Sequence, residues 1–432
     1  MSVSSPIGPV LDQLADLALW EAELQADPIR VESSLVSRLA RVPDRRRLRG
    51  RRHPLPVVPV LTACATPVVG NDSVAAIRQW AARTSQEVLE SLGARRDPLL
   101  GRSVVPGERT FRRVPADLDA DALEVATCGY AADVVRGIAP VPVIARTPGP
   151  AECEERRAVR DTARNPAPAG LLPGVAVDGK ALRGARTADG RVFPVGAIAH
   201  RGGVVLGQRR VPDKRGENTV VKELLTPLDL AGMVVALDAL HTTKKTARLI
   251  TQTLHAHYLL ILKGNQPPAR QAARLLLTGT DAEFVEATDV DDDRGHGRVE
   301  RRTLRTAPAD ATLLPGARQV FRLRRDSGDL DGVWTGKEIV FGVTSLPADL
   351  AGPEHLNFHE RAHRCVENRL HWVRDVTFHE DSSQLRTGTA PRPLAGFRNL
   401  AINTFRLDGR ANIAHARRDL LNHNDAFAVY GI

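Results

Sequence analysis

The chain reads Val175-Ala176-Val177-Asp178-Gly179-Lys180 ahead of its midpoint, an apolar run that ends in a carboxylate. A second apolar run, Val234–Leu237, ends in the same way at Asp238. A carboxylate at the end of a buried strand is costly to desolvate unless it is paired or binds a cation. Glu367 lies on a later helical stretch, and two Asp and one Glu offer the oxygen ligands that Mg²⁺ prefers. We therefore predict that Asp178, Asp238 and Glu367 are catalytic and hold one or two divalent ions.

Each of these three assignments has an ordinary structural alternative. Asp178 could cap the turn at Gly179, and Asp238 could cap the helix that begins near Thr242. For Glu367, the alternatives are neighbouring carboxylates that could take its place, namely Asp375, Glu380 and Asp381.

The segments around the two Asp predict an α/β fold. Short apolar runs predict strands, and stretches of helical periodicity separate the later ones. The order is strand Val175–Leu182, strand Val192–Ala199, strand Val204–Val211, a helix through Val220 to Leu225, strand Val234–Leu237, a helix near Lys244–Leu254 and strand Tyr258–Leu262. This order is that of an RNase H-like mixed sheet flanked by helices, although order alone does not exclude other α/β folds.

A long interruption separates the last of these strands from Glu367. Residues from about 267 to 350 are too many for a structureless loop in a compact domain. They contain strand-like pieces, notably Val320–Arg324 and Glu338–Thr344. We therefore predict a β-rich insertion in the catalytic domain.

The rest of the chain divides by composition. Residues 1–53 carry an amphipathic helical pattern from Leu11 to Trp20 and a run of arginines from Arg41 to Arg52. This run could be a solvated segment or a free arm that contacts the DNA backbone. Residues 54–136 have helical periodicity and predict an α-helical N-terminal domain, which we expect to bind DNA. Residues 137–172 are dense in Pro and Gly and predict a linker. Residues 173–432 would then form the RNase H-like domain with its insertion.

Charge and cysteine usage limit the class of protein. The chain has 60 Lys and Arg against 51 Asp and Glu, a net charge of +9, which indicates an anionic partner such as nucleic acid. A GC-rich genome would also raise the arginine count. Four cysteines without a C-x-x-C pair argue against a disulfide framework or a cysteine zinc site.

No feature of the sequence predicts a membrane or secreted location. The N-terminus lacks the basic and apolar regions of a signal peptide. The most apolar stretch, from Leu55 to Gly70, is interrupted by prolines and is too short to span a bilayer. We expect a soluble cytoplasmic protein.

Five blocks resemble the H-repeat-associated insertion-sequence transposases, in the order that this family shows. They cover nearly the whole chain, from about Arg52 to Arg406, and are Val177–Arg186, Leu237–Thr242, Ile261–Gln266, His296–Glu300 and Glu367–Asp381.

The resemblance implies a DDE transposase with an RNase H-like core. Such an enzyme cleaves and joins DNA at the ends of an insertion-sequence element by two-metal-ion phosphodiester hydrolysis and strand transfer. The resemblance further implies Mg²⁺, with Mn²⁺ as a substitute, and double-stranded DNA at element ends and target. It also implies a homodimer in the DNA complex and a cytoplasmic, nucleoid-associated location.

Candidate DNA-binding residues follow from these blocks and from a short basic stretch before them. They are Lys180, Arg183, Lys263, Asn265, Gln266, His296, Arg298, Arg109, Arg112 and Arg113.

Several of these assignments, and those of neighbouring residues, have alternatives. Lys263–Gln266 could be a polar β-turn, and the helix that carries Arg109 could serve packing alone. Glu300 and Arg302 would share a strand face with His296 and Arg298. Trp372 is predicted as a core residue, with base stacking as the alternative.

One motif favours a different enzyme class. His359-Glu360-Arg361-Ala362-His363 matches the H-E-x-x-H zinc metalloprotease signature, which places two His one helical turn apart. A protease would leave Asp178, Asp238 and the basic charge unexplained. A third hypothesis is a catalytically decayed transposase relative that binds DNA without cutting it.

Overall fold

The fold is described from a computed structural model of the chain. The structure describes residues 34–47, 51–146, 152–153, 155–156, 159, 166–180, 186–187, 190–191, 193–211, 217–278, 283–291, 297, 299–383 and 390–432. The amphipathic pattern at Leu11–Trp20 lies outside these residues, as do Arg183, His296 and Arg298.

A nine-stranded mixed sheet forms the centre of the molecule. Its strands are β3 Gly174–Gly179, β6 Phe193–Ala199, β7 Val205–Val211, β8 Val234–Leu237, β9 His257–Leu262, β10 Val285–Asp291, β11 Val299–Pro308, β12 Gln319–Gly328 and β13 Trp334–Thr344. Two small hairpins lie outside it, formed by β1 Arg96–Asp97 with β2 Arg102–Ser103 and by β4 Arg186–Thr187 with β5 Gly190–Arg191.

The first five strands of this sheet have the order β7-β6-β3-β8-β9. Strand β3 pairs antiparallel with β6 and parallel with β8, and β8 pairs parallel with β9. In chain order this is 3-2-1-4-5, which is the RNase H-like core that the sequence predicts. The predicted strand Val234–Leu237 has the observed bounds, and the others differ from the observed strands by a few residues at their ends.

The predicted β-rich insertion is confirmed as an extension of this same sheet. Strand β13 pairs antiparallel with β9, and β12, β11 and β10 follow outward as a meander. The insertion begins with a helix, Pro267–Thr278, which the sequence analysis did not anticipate.

Helices cover both faces of the sheet. They are α1 Leu35–Ala40, α2 Val57–Ala65, α3 Val74–Ala81, α4 Gln86–Ser91, α5 Glu108–Asp117, α6 Ala120–Val135, α7 Glu217–Leu225, α8 Lys244–Arg248, α9 Pro267–Thr278, α10 Pro353–Val366, α11 Pro391–Leu407, α12 Ile413–Asp419 and α13 Asp425–Ala428. Alternation along β3 divides the core: Val175 and Val177 pack with α7 and α8, whereas Ala176 joins the cluster on the other side.

The N-terminal helices pack against the C-terminal end of the chain. One buried cluster contains Leu61 of α2, Tyr130 of α6, Phe397 of α11 and Phe427 of α13. The helical N-terminal region therefore shares a core with residues that follow the catalytic sequence blocks. No helix in the described part of the chain combines the length and apolar character needed to cross a membrane.

Candidate functional site

The sheet brings the two predicted Asp side by side. Strands β3 and β8 are parallel, and Val177 lies opposite Leu237 as their last paired residues. Asp178 comes directly after Val177, and Asp238 directly after Leu237. Both Asp residues therefore lie at the carboxyl ends of neighbouring strands. Ligand sites of open α/β sheets lie at this edge.

The two Asp also share a face of the sheet. Side chains alternate along a strand, so Asp178 lies on the side of Ala176, and Asp238 lies on the side of Val234 and Ala236. Val234 and Ala236 pack with Leu356 of α10. The same helix lies so close to β3 that a Cβ at Gly174 would be 2.8 Å from His359 Nδ1. Both carboxylates therefore face the helix that leads to Glu367.

Glu367 lies where this helix changes its winding. Helix α10 ends at Val366, and the chain continues as a π-helical turn, Glu367–His371. Such turns inside helices occur frequently at functional sites. The turn brings ligand atoms of Glu367, His371 and Asp178 within 4.8 Å of one another.

His371 contacts both carboxylates, and the sequence analysis did not assign it to the site. Its Nδ1 lies 3.0 Å from Glu367 Oε2 and 3.8 Å from Asp178 Oδ2. Burial lowers the pKa of His371 to about 4, although the hydrogen bond to Glu367 opposes the shift. The imidazole is therefore neutral at pH 7. Its Nδ1–H donates to Glu367 here, and Nδ1 can bind an ion only in the tautomer that carries the proton on Nε2. The sequence signal that could have indicated His371 is its spacing of four residues from Glu367, which places the two side chains next to each other on a helix.

Asp238 caps a 3₁₀ turn and not the helix expected near Thr242, which begins at Lys244 with Thr243 as its N-cap. Asp238 Oδ1 accepts a hydrogen bond from Leu240 N at 2.8 Å and caps the 3₁₀ turn Ala239–His241. Its charge also acts on His363 of α10, where it partly offsets the lowering of the His363 pKa by burial. Asp238 thus faces the same helix as Asp178, at a point one turn before Glu367.

Two predicted DNA-binding residues fix the loop after Asp238. Asn265 Nδ2 donates to the carbonyl oxygen of Ala239 at 2.6 Å, and Gln266 Nε2 donates to that of Thr242 at 2.9 Å. These amides join the end of β9 to the segment that positions Asp238. Lys263 is exposed.

Lys180 is bonded within the protein. Its Nζ forms an ion pair with Asp375, donates to the carbonyl oxygen of His371 at 3.3 Å and lies 3.8 Å from Glu380. Its side chain is 10% exposed. We therefore reassign Lys180 from DNA contact to positioning of the π-helical segment that carries Glu367.

The alternative carboxylate Glu380 belongs to a buried ion cluster. Burial would raise its pKa, but Arg374 and Arg398 outweigh this effect and hold it at about 2. Arg374 donates to both of its oxygens, at 2.8 and 2.9 Å. Glu380 is thus neutralised by arginines, whereas the side chain of Glu367 is 73% exposed beside Asp178. This arrangement favours Glu367 as the third carboxylate.

The H-E-x-x-H motif is used for packing. His359 Nδ1 lies 3.0 Å from His200 Nδ1, and burial lowers the pKa of His359 to about 3. Glu360 forms a buried ion pair with Arg302 and accepts from Arg364 Nε at 3.0 Å. A glutamate held by two guanidinium groups is not placed to act as the general base of a metalloprotease.

Arg302 and Trp372 differ from their sequence predictions. Arg302 was expected on a DNA-facing strand surface, but its side chain is 3% exposed and bonded to Asn357 and Glu360. Trp372 was expected in the core, but it is 53% exposed next to His371. The preceding residue, His371, is buried, so these adjacent side chains lie on different sides of the helix.

The N-terminal basic residues have mixed environments. Arg109, Arg112 and Arg113 are exposed on α5, and Arg112 Nη2 lies 2.8 Å from Glu108 Oε1. Arg46 of the arginine run is buried, and its guanidinium bonds Asp44 and the carbonyl oxygen of His53. The hypothesis of a free arginine arm therefore does not extend to Arg46.

Comparison with known proteins agrees with this arrangement. A family model described as the transposase DDE domain matches residues 170–404, more than half of the chain. The chain belongs to the transposase DDE domain family. A second model, described as DDE transposase-associated, matches residues 36–131, the region of helices α1 to α6.

Several relatives of this family are similar to the chain. They include YncI of Escherichia coli O157:H7, named as a transposase, at 29% identity over 54% of this chain and 61% of its own length. The H repeat-associated protein YhhI of Escherichia coli K12 is 27% identical over 54% of this chain and 64% of its own length. The chain thus spans less than two thirds of these relatives.

A solved structure, the piggyBac transposase synaptic complex with hairpin DNA, aligns with a TM-score of 0.38 and 11% identity. It covers 99% of this chain and 80% of that one. This likeness is too low to assign a fold by itself.

Proposed function

We propose that this protein is a DDE transposase that cleaves and joins DNA at the ends of an insertion-sequence element. The observation that carries the proposal is the convergence of Asp178, Glu367 and His371 at the carboxyl edge of an RNase H-like sheet. Asp238 lies at the same edge, at the end of the strand that pairs with that of Asp178. Family membership supports the same reaction class.

The ligand atoms of Asp178, Glu367 and His371 lie within 4.8 Å of one another, so that small side-chain movements would bring them onto one divalent ion. Around an octahedral Mg²⁺ with bonds of about 2.1 Å, neighbouring ligand atoms lie roughly 3 Å apart and opposite ones roughly 4 Å apart. The separations of 3.0 and 3.8 Å from His371 Nδ1 to the two carboxylates are of this size. Asp178 and Glu367 would hold one ion with His371, and Asp178 with Asp238 could hold a second.

The protein's own residues then orient the reaction. Mg²⁺ bound at this edge supplies Lewis acidity to the attacking and leaving oxygens of a phosphodiester. Asp238 is fixed by its cap on Leu240 and by the amides of Asn265 and Gln266. Lys180 ties the segment of Glu367 to the strand of Asp178 through the carbonyl oxygen of His371. We assign no covalent nucleophile on the protein.

The proposal also includes the partners that the resemblance implies. These are double-stranded DNA at element ends and target, and a second copy of the chain in the DNA complex. The location would be cytoplasmic and nucleoid-associated. The net charge of +9 supports a polyanionic partner.

A cleavage assay with DNA from both sides of the gene tests the proposal. Nicking should require Mg²⁺ or Mn²⁺ and be poorly supported by Ca²⁺, which accepts looser and more variable geometry. Asp178→Asn should abolish nicking and leave DNA binding nearly intact. Binding without nicking by the wild-type protein would indicate a catalytically decayed relative instead.

A further inference from the structure

One surface of the insertion has a concentration of positive charge that the candidate site does not use. Cross-strand pairs place Arg305 opposite Arg322 on β11 and β12, and Arg322 opposite Phe341 on β13. Arg301, Arg324 and Lys337 lie on the same side by alternation. We call this set the outer basic face: Arg301, Arg305, Arg322, Arg324 and Lys337.

In the described part of the chain, no helix packs over the outer basic face. On its side, helix α9 packs over the inner ends of the strands, where Ala273 and Leu277 join Ala307, Val320 and Phe341 in one cluster. The opposite side is covered by α10, where Leu356 packs against Leu304 and Leu323. Beyond α9, Arg301 and Lys337 are exposed.

Positive charges crowd one another on this face. Burial lowers the pKa of Arg322, and the charges of Arg305 and Arg324 lower it further. The Nε–H of Arg322 is buried without a hydrogen-bond partner in the part of the chain that the structure describes. A buried guanidinium N–H beside two other guanidinium groups is stabilised by an anion that accepts its hydrogen bond.

Acidic neighbours neutralise only part of this charge. Glu286 forms an ion pair with Arg305, and Asp326 forms one with Arg324. Asp289 is paired with Arg302 in the ladder and so lies on the opposite side of the sheet. Within the described ranges, Arg301, Arg322 and Lys337 form no ion pair with a carboxylate.

Aromatic rings fix two of the guanidinium groups at the rim. Arg301 lies over Trp334 with 4.8 Å from its Cζ to the ring centroid, and Arg305 lies over Phe284 at 4.1 Å. Stacking orders a guanidinium while its N–H groups stay available in its plane. The planar fork of arginine matches the oxygens of a phosphate group.

We propose that the outer basic face binds the phosphate backbone of duplex DNA. This inference rests on the proposed function for the identity of its partner, and it places the contact on the insertion, away from the carboxylates. From the sequence, the other side of β11, that of Arg302, was expected to face DNA. The guanidinium of Arg302 is instead bonded to Glu360 and Asn357. The exposed positive charges lie on the outer basic face.

The salt dependence of DNA binding tests this proposal. The measurement uses the Asp178→Asn protein, so that the duplex stays intact, with and without Arg301→Gln, Arg322→Gln and Lys337→Gln. Each neutralised phosphate contributes a slope of about −0.9 in log affinity against log salt. In the triple variant, the slope of log affinity against log salt concentration should become less negative by roughly two to three. Affinity for element-end and random duplexes should fall alike, because phosphate contacts carry no base information.

Two further variants separate this contact from net charge and from folding. Lys222→Gln, Arg248→Gln and Arg418→Gln remove the same charge from exposed positions on helices elsewhere and should leave the slope nearly unchanged. Arg301→Lys with Arg322→Lys keeps the charge and should keep most of the slope.

An unchanged slope in the triple variant, or an equal loss in the helix control, overturns the inference. Metal-dependent nicking by the wild-type protein would still support the proposed function in that case. Absence of both nicking and DNA binding in the wild-type protein would remove the proposed function and this inference together.

Discussion

At the residue scale, His371 adds a nitrogen to the oxygen ligands of the candidate metal site. Its Nδ1 is within hydrogen-bond distance of Glu367 and 3.8 Å from Asp178. Imidazole among carboxylates suits later divalent metals better than Mg²⁺, which prefers oxygen. A site of this composition should therefore bind Mn²⁺ more tightly than Mg²⁺.

His371→Ala should weaken Mn²⁺ binding by at least about tenfold, since even residues that only support metal ligands are worth about 10–100-fold. Calorimetric titration of the DNA-free protein measures this directly. His415→Ala, on helix α12, is the matched control and should bind Mn²⁺ as the wild type does. Equal Mn²⁺ affinity in the His371 and His415 variants would show that His371 neither binds the ion nor supports its ligands.

Individual site residues were predictable from sequence to different degrees. Asp178 and Asp238 could be found because each ends a buried apolar run, where an unpaired carboxylate is costly. His371 lies four residues after Glu367, a spacing that places both on one side of a helix, but the sequence does not show that the fold brings Asp178 to the same place. Lys180 lies two residues from Asp178, and only the tertiary structure shows that Asp375 pairs with it.

At the element scale, Lys180 connects strand β3 to the π-helical segment after α10. Lys180→Met should lower the thermal unfolding temperature and reduce DNA cleavage, because the carbonyl oxygen of His371 and Asp375 lose their shared donor. DNA affinity and its salt slope should stay as in the wild type. A slope flatter by about one would instead show that Lys180 contacts a phosphate.

Helix α6 carries a buried carboxyl group where it packs against α11. Burial raises the pKa of Glu124 to about 7, although Arg392 and Arg209 act in the opposite direction. The folded state therefore holds this proton between the ordinary pKa near 4.5 and about 7, while the unfolded chain releases it. Its contribution to stability is lost as the pH rises through this window, by an amount on the order of 3 kcal/mol.

Glu124→Gln should remove this pH dependence, since the amide stays neutral. Urea unfolding at pH 5.5 and pH 8 measures it: the variant should gain about 3 kcal/mol of stability relative to the wild type at pH 8 and about 1 kcal/mol at pH 5.5. The same difference between the two proteins at both pH values would rule out titration of Glu124 in this window.

At the scale of the whole molecule, the order of strands and helices was predictable and their wider packing was not. Apolar runs and turn residues locate β3, β6, β7, β8 and β9, because a buried strand needs a continuous apolar segment. The sequence does not show that β13 pairs with β9 and extends the central sheet. Nor does it show that α11 to α13 complete a core with the N-terminal helices, since both contacts join residues far apart in the chain.

We expect three carboxylates at one edge of this sheet to form the cleavage site. Asp238 gives the sharpest test, because its assignment to the site rests only on the pairing of β3 with β8 and on the effect of its charge on the pKa of His363. The measurement is the rate of Mg²⁺-dependent nicking by Asp238→Asn on DNA that the wild-type protein cuts. We predict that the nicking rate falls by well above about a hundredfold, as for Asp178→Asn, with DNA affinity retained. A rate within about threefold of wild type, roughly 0.7 kcal/mol in barrier height, would contradict it.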